Sequence, residues 1–236
     1  MNCWAVFFDG PVPYADGLRM QESLHAARRA ELIPDVVLFL QHPPVVTLGR
    51  RGRDNYLRLA AEEYARRGIE LFHASRGGDV TYHGPGQWVL YPILRLGGSE
   101  ADAHGYLANL EEIALRTCGD FGVNAWRREG KSGAWTAGGK IAAIGFVLKR
   151  WITMHGMSFN ADPDLSGFAT IVPCGLVGQP VASLRTELGA ACPPLDAVRA
   201  RLAANFETVC RRPLSIFRPG DPLPPPLAEA LGRAAR

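Results

Sequence analysis

The chain opens on an apolar run, CWAVFF at residues 3–8, that reads as a strand and is cut at Asp9. Over residues 14–31 the period changes: Leu18, Gln21, Leu24 and Ala27 fall near one stripe at helical spacing, which predicts a helix. A buried strand is expected at 36–40. Pro43 and Pro44 break it, and VVTLG resumes it. RRGRDN then reads as a polar loop that caps a helix near 57–67, with a strand following at 69–73.

Residues 76–86, RGGDVTYHGPG, hold four glycines in eleven positions, so they read as a loop that brings backbone close to another group before the strand-like WVLYPILRL. Ser99 or Asp102 starts a helix through Tyr106, Leu110, Ile113 and Thr117, and Gly119 or Gly122 ends it. Two or three strands are expected, around 123–127, 140–148 and 152–160. Residues 161–181 are turn-rich, whereas Leu195, Val198, Leu202, Phe206 and Val209 repeat at helical spacing and predict a closing helix. The last stretch, RPGDPLPPPLAEALGRAAR, is proline-heavy and reads as a loosely ordered tail at 218–236. Strands and helices mix without regular βαβ alternation. That pattern favours an α+β fold, a mixed or antiparallel sheet packed by helices, in a single domain over residues 1–217.

Composition narrows the function classes. At 236 residues and 47% hydrophobic, the chain suffices for one sizeable core. A formal charge of +3 with scattered arginines argues against nucleic acid and suits a mildly acidic protein partner. The apolar start has no basic region before it and no apolar run reaches membrane length, which gives a cytoplasmic, membrane-free expectation. Five cysteines, an odd number with no CxxC pair, argue for free thiols over a disulfide framework or a zinc ribbon.

Of the 26 basic residues only Lys131, Lys140 and Lys149 are lysine. Arginine is the default cation here, and lysine is the side chain that can shift its pKa and pass a proton. Lys140, in GGKIAAIG, is therefore a candidate for chemistry, against the plain alternative of a solvated strand lysine. Cys174, in IVPCGL, has Pro173 fixing the backbone before it and Gly175 freeing the backbone after it. It is either a thiol presented on a turn or a small buried hydrophobe. A neighbouring ammonium would populate its thiolate at neutral pH. His83 and His155 are open between core hydrogen bonding and function, and a His/His/Cys zinc site fits no standard spacing, so neither metal nor cofactor is expected. The glycine-rich loop is neither a Walker A loop nor GxGxxG, yet its amides can face an oxyanion.

Taken together, RGGDVTYHGPGQ with Tyr91 and Pro92 downstream, GGKIAAIG, KRWITMHGMSFN and IVPCG resemble the lipoyl(octanoyl) transferase family, the acyltransferases that begin protein lipoylation. HPPVVTLGRRG and the helix leading to Gln21 are similar too, and the match runs from about Pro13 to about Leu184. The resemblance implies that Cys174 is the acyl-thioester nucleophile and Lys140 its partner. It also implies substrate contacts at Arg76, Gly77, Gly78, Asp79, Val80, Thr81, Tyr82 and His83, at Ala143, Ile144 and Gly145, and at Gly156, Met157 and Ser158. Ser158 stands where a small apolar residue is expected. The implied fold is the α+β sheet of biotin protein ligase and lipoate ligase catalytic domains.

The implied reaction takes octanoyl from octanoyl-acyl carrier protein, through Cys174, to a lysine of the lipoyl domains of 2-oxoacid dehydrogenase complexes and of the glycine cleavage H protein. Three rivals stand beside it: an ATP-dependent lipoate or biotin ligase on the same fold, a thioesterase, and a non-catalytic acyl-carrier binding module.

Overall fold

The computed structural model describes residues 2–52, 56–172 and 179–234. Eight strands form the main sheet. In chain order they are β1 (Cys3–Pro11), β2 (Asp35–Gln41), β6 (Gln87–Ile93), β7 (Trp126–Arg128), β8 (Lys131–Thr136), β9 (Gly139–Lys149), β10 (Ile152–Asn160) and β11 (Leu214–Phe217), and in space they run β11-β1-β2-β6-β10-β9-β8-β7. β1 is parallel to β2 and β11, and the remaining neighbours are antiparallel. The sheet is thus mixed, as an α+β pattern requires.

β2 reads as unbroken apolar because both of its faces are covered. Val37 and Phe39 point into a cluster with α3 (Ala103–Asp120) and α5 (Leu195–Cys210), through Tyr106, Leu110, Val198 and Phe206. Val36, Leu38 and Leu40 point into a second cluster with α1 (Tyr14–Arg29) and α6 (Pro225–Ala234), through Leu24, Leu227 and Ala230. Alternation along one strand therefore fixes the three-layer arrangement. Asp102 caps α3 by accepting from the His104 amide at 2.9 Å.

A smaller three-stranded sheet, ordered β4-β3-β5, sits beside the main one. It comprises β3 (Val45–Leu48), β4 (Glu70–His73) and β5 (Val80–His83), with α2 (Ala61–Arg66) packed on it through Tyr64. Here the structure departs from the reading of local pattern. VVTLG does not resume β2, since the prolines at 43 and 44 carry the chain into the second sheet. The glycine-rich segment is not all loop, because VTYH pairs with β3. β8 was not expected: Ser132 and Gly133 interrupt its apolar alternation. α4 (Leu184–Leu188) was also unexpected, and it starts in a capping box at Ser183.

The proline-heavy end differs as well. β11 pairs with β1, and α6 buries Leu227 completely against α1 and the sheet. Its prolines open the helix, where a missing N–H leaves nothing unsatisfied and φ is already helical.

Candidate active site

Where β9 and β10 pair, Ala143 faces Ser158 and Gly145 faces Gly156. Four small residues in a two-by-two block clear side chains from one patch of the sheet, and a cleft of about 470 Å3 lies over it. Ile144 and Met157 border the cleft, while their side chains pack into the core cluster on the other face of the sheet. The opposite side is the glycine-rich segment: Arg76, Gly78, Asp79, Val80, Thr81 and His83 line the cleft.

This segment is stitched down by backbone bonds. The amides of Gly49, Arg50 and Arg51 donate to the carbonyls of Asp79, Arg76 and Gly78, and the Gly77 amide donates to Phe146. Arg76 is buried, its guanidinium donating to the Thr47 carbonyl at 2.6 Å and the Thr47 hydroxyl at 2.7 Å. Twelve of the fourteen substrate contacts implied by the resemblance line this cleft. Gly77 and Tyr82 do not. Gly77 holds the loop against β9, and Tyr82, alternating to the far face of β5, packs edge-on against Phe168 at 5.3 Å.

Lys140 enters a smaller adjoining cavity of about 280 Å3, shared with Asn160, Phe168 and Val181. Thr81, Ala143 and Ser158 line both spaces, so the two adjoin. Lys140 is 9% exposed, and its Nζ lies 5.4 Å from the centre of the Trp135 ring. Gly133 makes room for it: at φ +110°, a Cβ there would stand 2.7 Å from Lys140 Cε and 2.3 Å from the Ala142 carbonyl oxygen. The strand bearing Lys140 also meets the chain beyond residue 178. Its amide donates to the Pro180 carbonyl at 2.9 Å, and its carbonyl accepts from the Ala182 amide at 3.1 Å. Gly139, at φ +139°, permits that approach, since a Cβ would lie 2.3 Å from the Pro180 oxygen. Cys174 lies outside the described residues.

Two histidines, His83 and His155, line the cleft and a third, His42, packs behind Tyr14 and Tyr91, and burial lowers the pKa of each. His42 falls to about 4 and His155 to about 3, while His83 is held well below the usual range, with His42 beside it adding to the effect. All three are neutral near pH 7. His42 Nδ1 donates to the Val12 carbonyl at 2.6 Å, leaving Nε2 to accept from the Tyr91 hydroxyl at 2.7 Å. His83 Nδ1 donates to Gln87 Oε1 at 2.6 Å, Gln87 Nε2 donates to Asn160 Oδ1 at 2.8 Å, and Asn160 Nδ2 donates to the Ala182 carbonyl at 2.9 Å. This buried chain ties the glycine-rich segment to β10 and to the backbone that follows residue 178. The question left open for His83 and His155 is thus answered in part: both are neutral ring partners, His155 Nε2 lying 3.2 Å from Ser75 Oγ.

Sequence pattern alone gave no place here to Tyr14, Val89, Asn160 or Trp135. Tyr14 begins α1 and Val89 lies on β6, and both line the cleft through packing between distant elements. The available signal was strand alternation, which sets Val89 and Tyr91 opposite Ser158 and Gly156.

Residues 13–207 match the family described as the lipoyl protein ligase A/B catalytic domain. The chain is 42% identical over 216 residues to an octanoyltransferase of Geobacter metallireducens, a match covering 91% of this chain and 97% of that one. It is 48% identical over 176 residues to an octanoyltransferase of Gloeobacter violaceus, covering 74% and 77%. Among solved structures it resembles a lipoate-protein ligase A bound with ATP, with a TM-score of 0.78 at 13% identity over 98% of this chain and 93% of that one. A bipartite lipoate protein ligase from Thermoplasma acidophilum gives a TM-score of 0.76 at 14% identity over 98% and 91%. The solved structures share the α+β fold of this chain.

Proposed function

Because this chain belongs to the lipoyl protein ligase A/B catalytic domain family, among its octanoyltransferases, we propose that it moves the octanoyl group in two steps through a thioester on Cys174. In the first step the Cys174 thiolate attacks the carbonyl carbon of octanoyl-acyl carrier protein. The tetrahedral intermediate collapses and expels the carrier's thiolate, which takes its proton from the Lys140 ammonium and leaves Lys140 a neutral amine. In the second, the amine of a lipoyl-domain lysine attacks the octanoyl-Cys174 carbonyl, the cysteine thiolate leaves, and the amine's extra proton passes to Lys140.

Thioester to thioester is nearly balanced and thioester to amide runs downhill, so no ATP enters. Lys140 is the base because an ammonium that settles the thiolate in the first step can act as a neutral amine in the second. Amides of the glycine-rich segment beside Gly78 stabilise the oxyanion. The seven carbons beyond the carbonyl lie over the patch formed by Ala143, Gly145, Gly156 and Ser158. Burying them favours binding by roughly 5 kcal/mol at ~0.8 kcal/mol per methylene, enough to select for an acyl chain.

The observation that carries this reading is that the apolar cleft and the Lys140 cavity lie side by side, with Thr81, Ala143 and Ser158 lining both. The lipoyl domains of 2-oxoacid dehydrogenase complexes and of glycine cleavage H protein are the acceptors in this scheme, and the setting is the cytoplasm. No helix among the described residues is long and apolar enough to cross a membrane.

The test is octanoylation of a lipoyl domain with two donors, octanoyl-acyl carrier protein and octanoate with ATP, by the wild type and by Cys174→Ala. Transfer from the carrier alone, abolished in the variant, is the expected result. Transfer that needs ATP and survives Cys174→Ala indicates a ligase, and release of free octanoate indicates a thioesterase.

A further inference from the structure

Across the sheet from Lys140 stands the Trp135 indole, and the strand register explains how the two come to face each other. Ala134 of β8 pairs with Ala142 of β9, so an unbroken ladder would set Ile141 opposite Trp135. One extra residue in β9 brings Lys140 there instead. Bulges of this kind re-aim a side chain. Ile141 goes to the main core, and Lys140 Nζ comes to 5.4 Å from the centre of the Trp135 ring, inside the ~6 Å over which an aromatic face attracts a cation. The ring itself is braced. It is buried, its Nε1 donates to the Lys131 carbonyl at 3.2 Å, and the Arg128 guanidinium lies 4.6 Å from the ring centre. Arg128 also donates to Gln179 Oε1 at 2.8 Å, one residue before the Pro180 carbonyl that accepts from the Lys140 amide.

We infer that Trp135 is a positioning residue for the second step: its ring holds Lys140 Nζ in place and stabilises the ammonium that forms there when the lipoyl-domain amine gives up its proton. The inference rests on the acyl-enzyme reading given above. As that amine attacks octanoyl-Cys174, one of its N–H bonds breaks, a new one forms at Lys140 Nζ, and the positive charge moves from substrate to Lys140. An aromatic face attracts the ammonium and has no such hold on the neutral amine, so it favours the direction of this transfer. A carboxylate in the same place would attract the charge but could take the proton itself. The indole is a donor only and cannot. In the first step Lys140 changes in the opposite sense, from ammonium to amine, and the ring gives that step no advantage. Its effect therefore falls on discharge of the acyl-enzyme and not on its formation.

The test follows by intact mass the rate at which octanoyl-acyl carrier protein acylates Cys174, and then the rate at which a lipoyl domain discharges the adduct. Wild type is compared with Trp135→Phe, with Trp135→Leu, and with chains carrying fluorinated tryptophan at position 135 alone, which keep the shape of the ring while draining its face of charge. Trp135→Leu is expected to slow discharge about tenfold and acylation by less than about threefold, whereas Trp135→Phe, which keeps an aromatic face, slows discharge by less than about threefold. Discharge is also expected to slow progressively with fluorine content, a response that lost packing does not produce, and this series decides the matter should Trp135→Leu fail to fold. Discharge unchanged by fluorination, or both steps slowed equally by Trp135→Leu, overturns the inference and leaves the acyl-enzyme standing. Absence of any adduct on the wild type overturns the acyl-enzyme reading itself.

Discussion

Gly133 shows how closely single residues are fitted around Lys140. It contributes no functional group, yet its φ of +110° and the 2.7 Å that a Cβ would leave to Lys140 Cε exclude every other side chain. Gly133→Ala is expected to cost about 1–3 kcal/mol of stability in urea unfolding, as forced positive-φ residues do. Displacement of Lys140 by about 1 Å is expected to lower lipoyl-domain octanoylation about 10²-fold. Full activity in that variant would remove Lys140 placement from the mechanism.

The histidines make a separate prediction at the same scale. His42, His83 and His155 have folded pKa values below their unfolded value of 6.5. Below pH 6.5 the unfolded chain therefore binds protons that the native state refuses. Stability is full above that pH and is lost as pH falls toward the folded values, by about 2 kcal/mol each for His42 and His155 at pH 5, with His83 acting in the same direction. Urea unfolding at pH 7 and pH 5 measures this, and an unchanged free energy would mean that the rings are not buried as neutral groups.

Among the elements, α6 separates composition from structure. Its segment reads as loose because of Pro219, Pro222, Pro224, Pro225 and Pro226, but Pro225 is the first residue of the helix and the Pro224 carbonyl accepts from the Leu227 and Ala228 amides. The same residue type marks a chain that cannot fold and a helix that is about to begin, and only the apolar surface of α1 and β1 decides between them. Leu227→Ala is expected to destabilise by about 2–5 kcal/mol, as buried leucine truncations do, whereas Leu32→Ala, at 65% exposure, stays within about 0.5 kcal/mol. Equal effects of the two in chemical denaturation would mean that α6 does not pack.

β2 and α3 were legible for the opposite reason: an unbroken apolar run and a capped amphipathic helix each carry their own boundaries. β8 was not, because its buried face includes Gly133, a position chosen for Lys140 and not for strand formation. Local rules fail where a residue serves the site.

For the whole molecule, the mixed sheet and its helical layers follow from alternation and period, but the site is assembled from parts that are distant in sequence. The small residues Ala143, Gly145, Gly156 and Ser158 mean little until β9 and β10 pair in register. The bonds from His83 through Gln87 and Asn160 to Ala182 join three stretches that no local pattern connects. What sequence did carry was the order of four short motifs, and their shared family resemblance pointed to the cleft that twelve of the named residues line. Gly77 fell outside it because its amide is bound to the Phe146 carbonyl of β9, and Tyr82 because its ring packs against Phe168.

The most direct measurement is intact-mass spectrometry of the full chain after incubation with octanoyl-acyl carrier protein, followed by addition of a lipoyl domain. One octanoyl adduct on the wild type, absent in Cys174→Ala and discharged as the lipoyl domain gains the same mass, is the predicted result. An octanoylated lipoyl domain formed at the wild-type rate by Cys174→Ala, or an adduct that the lipoyl domain never removes, would contradict it.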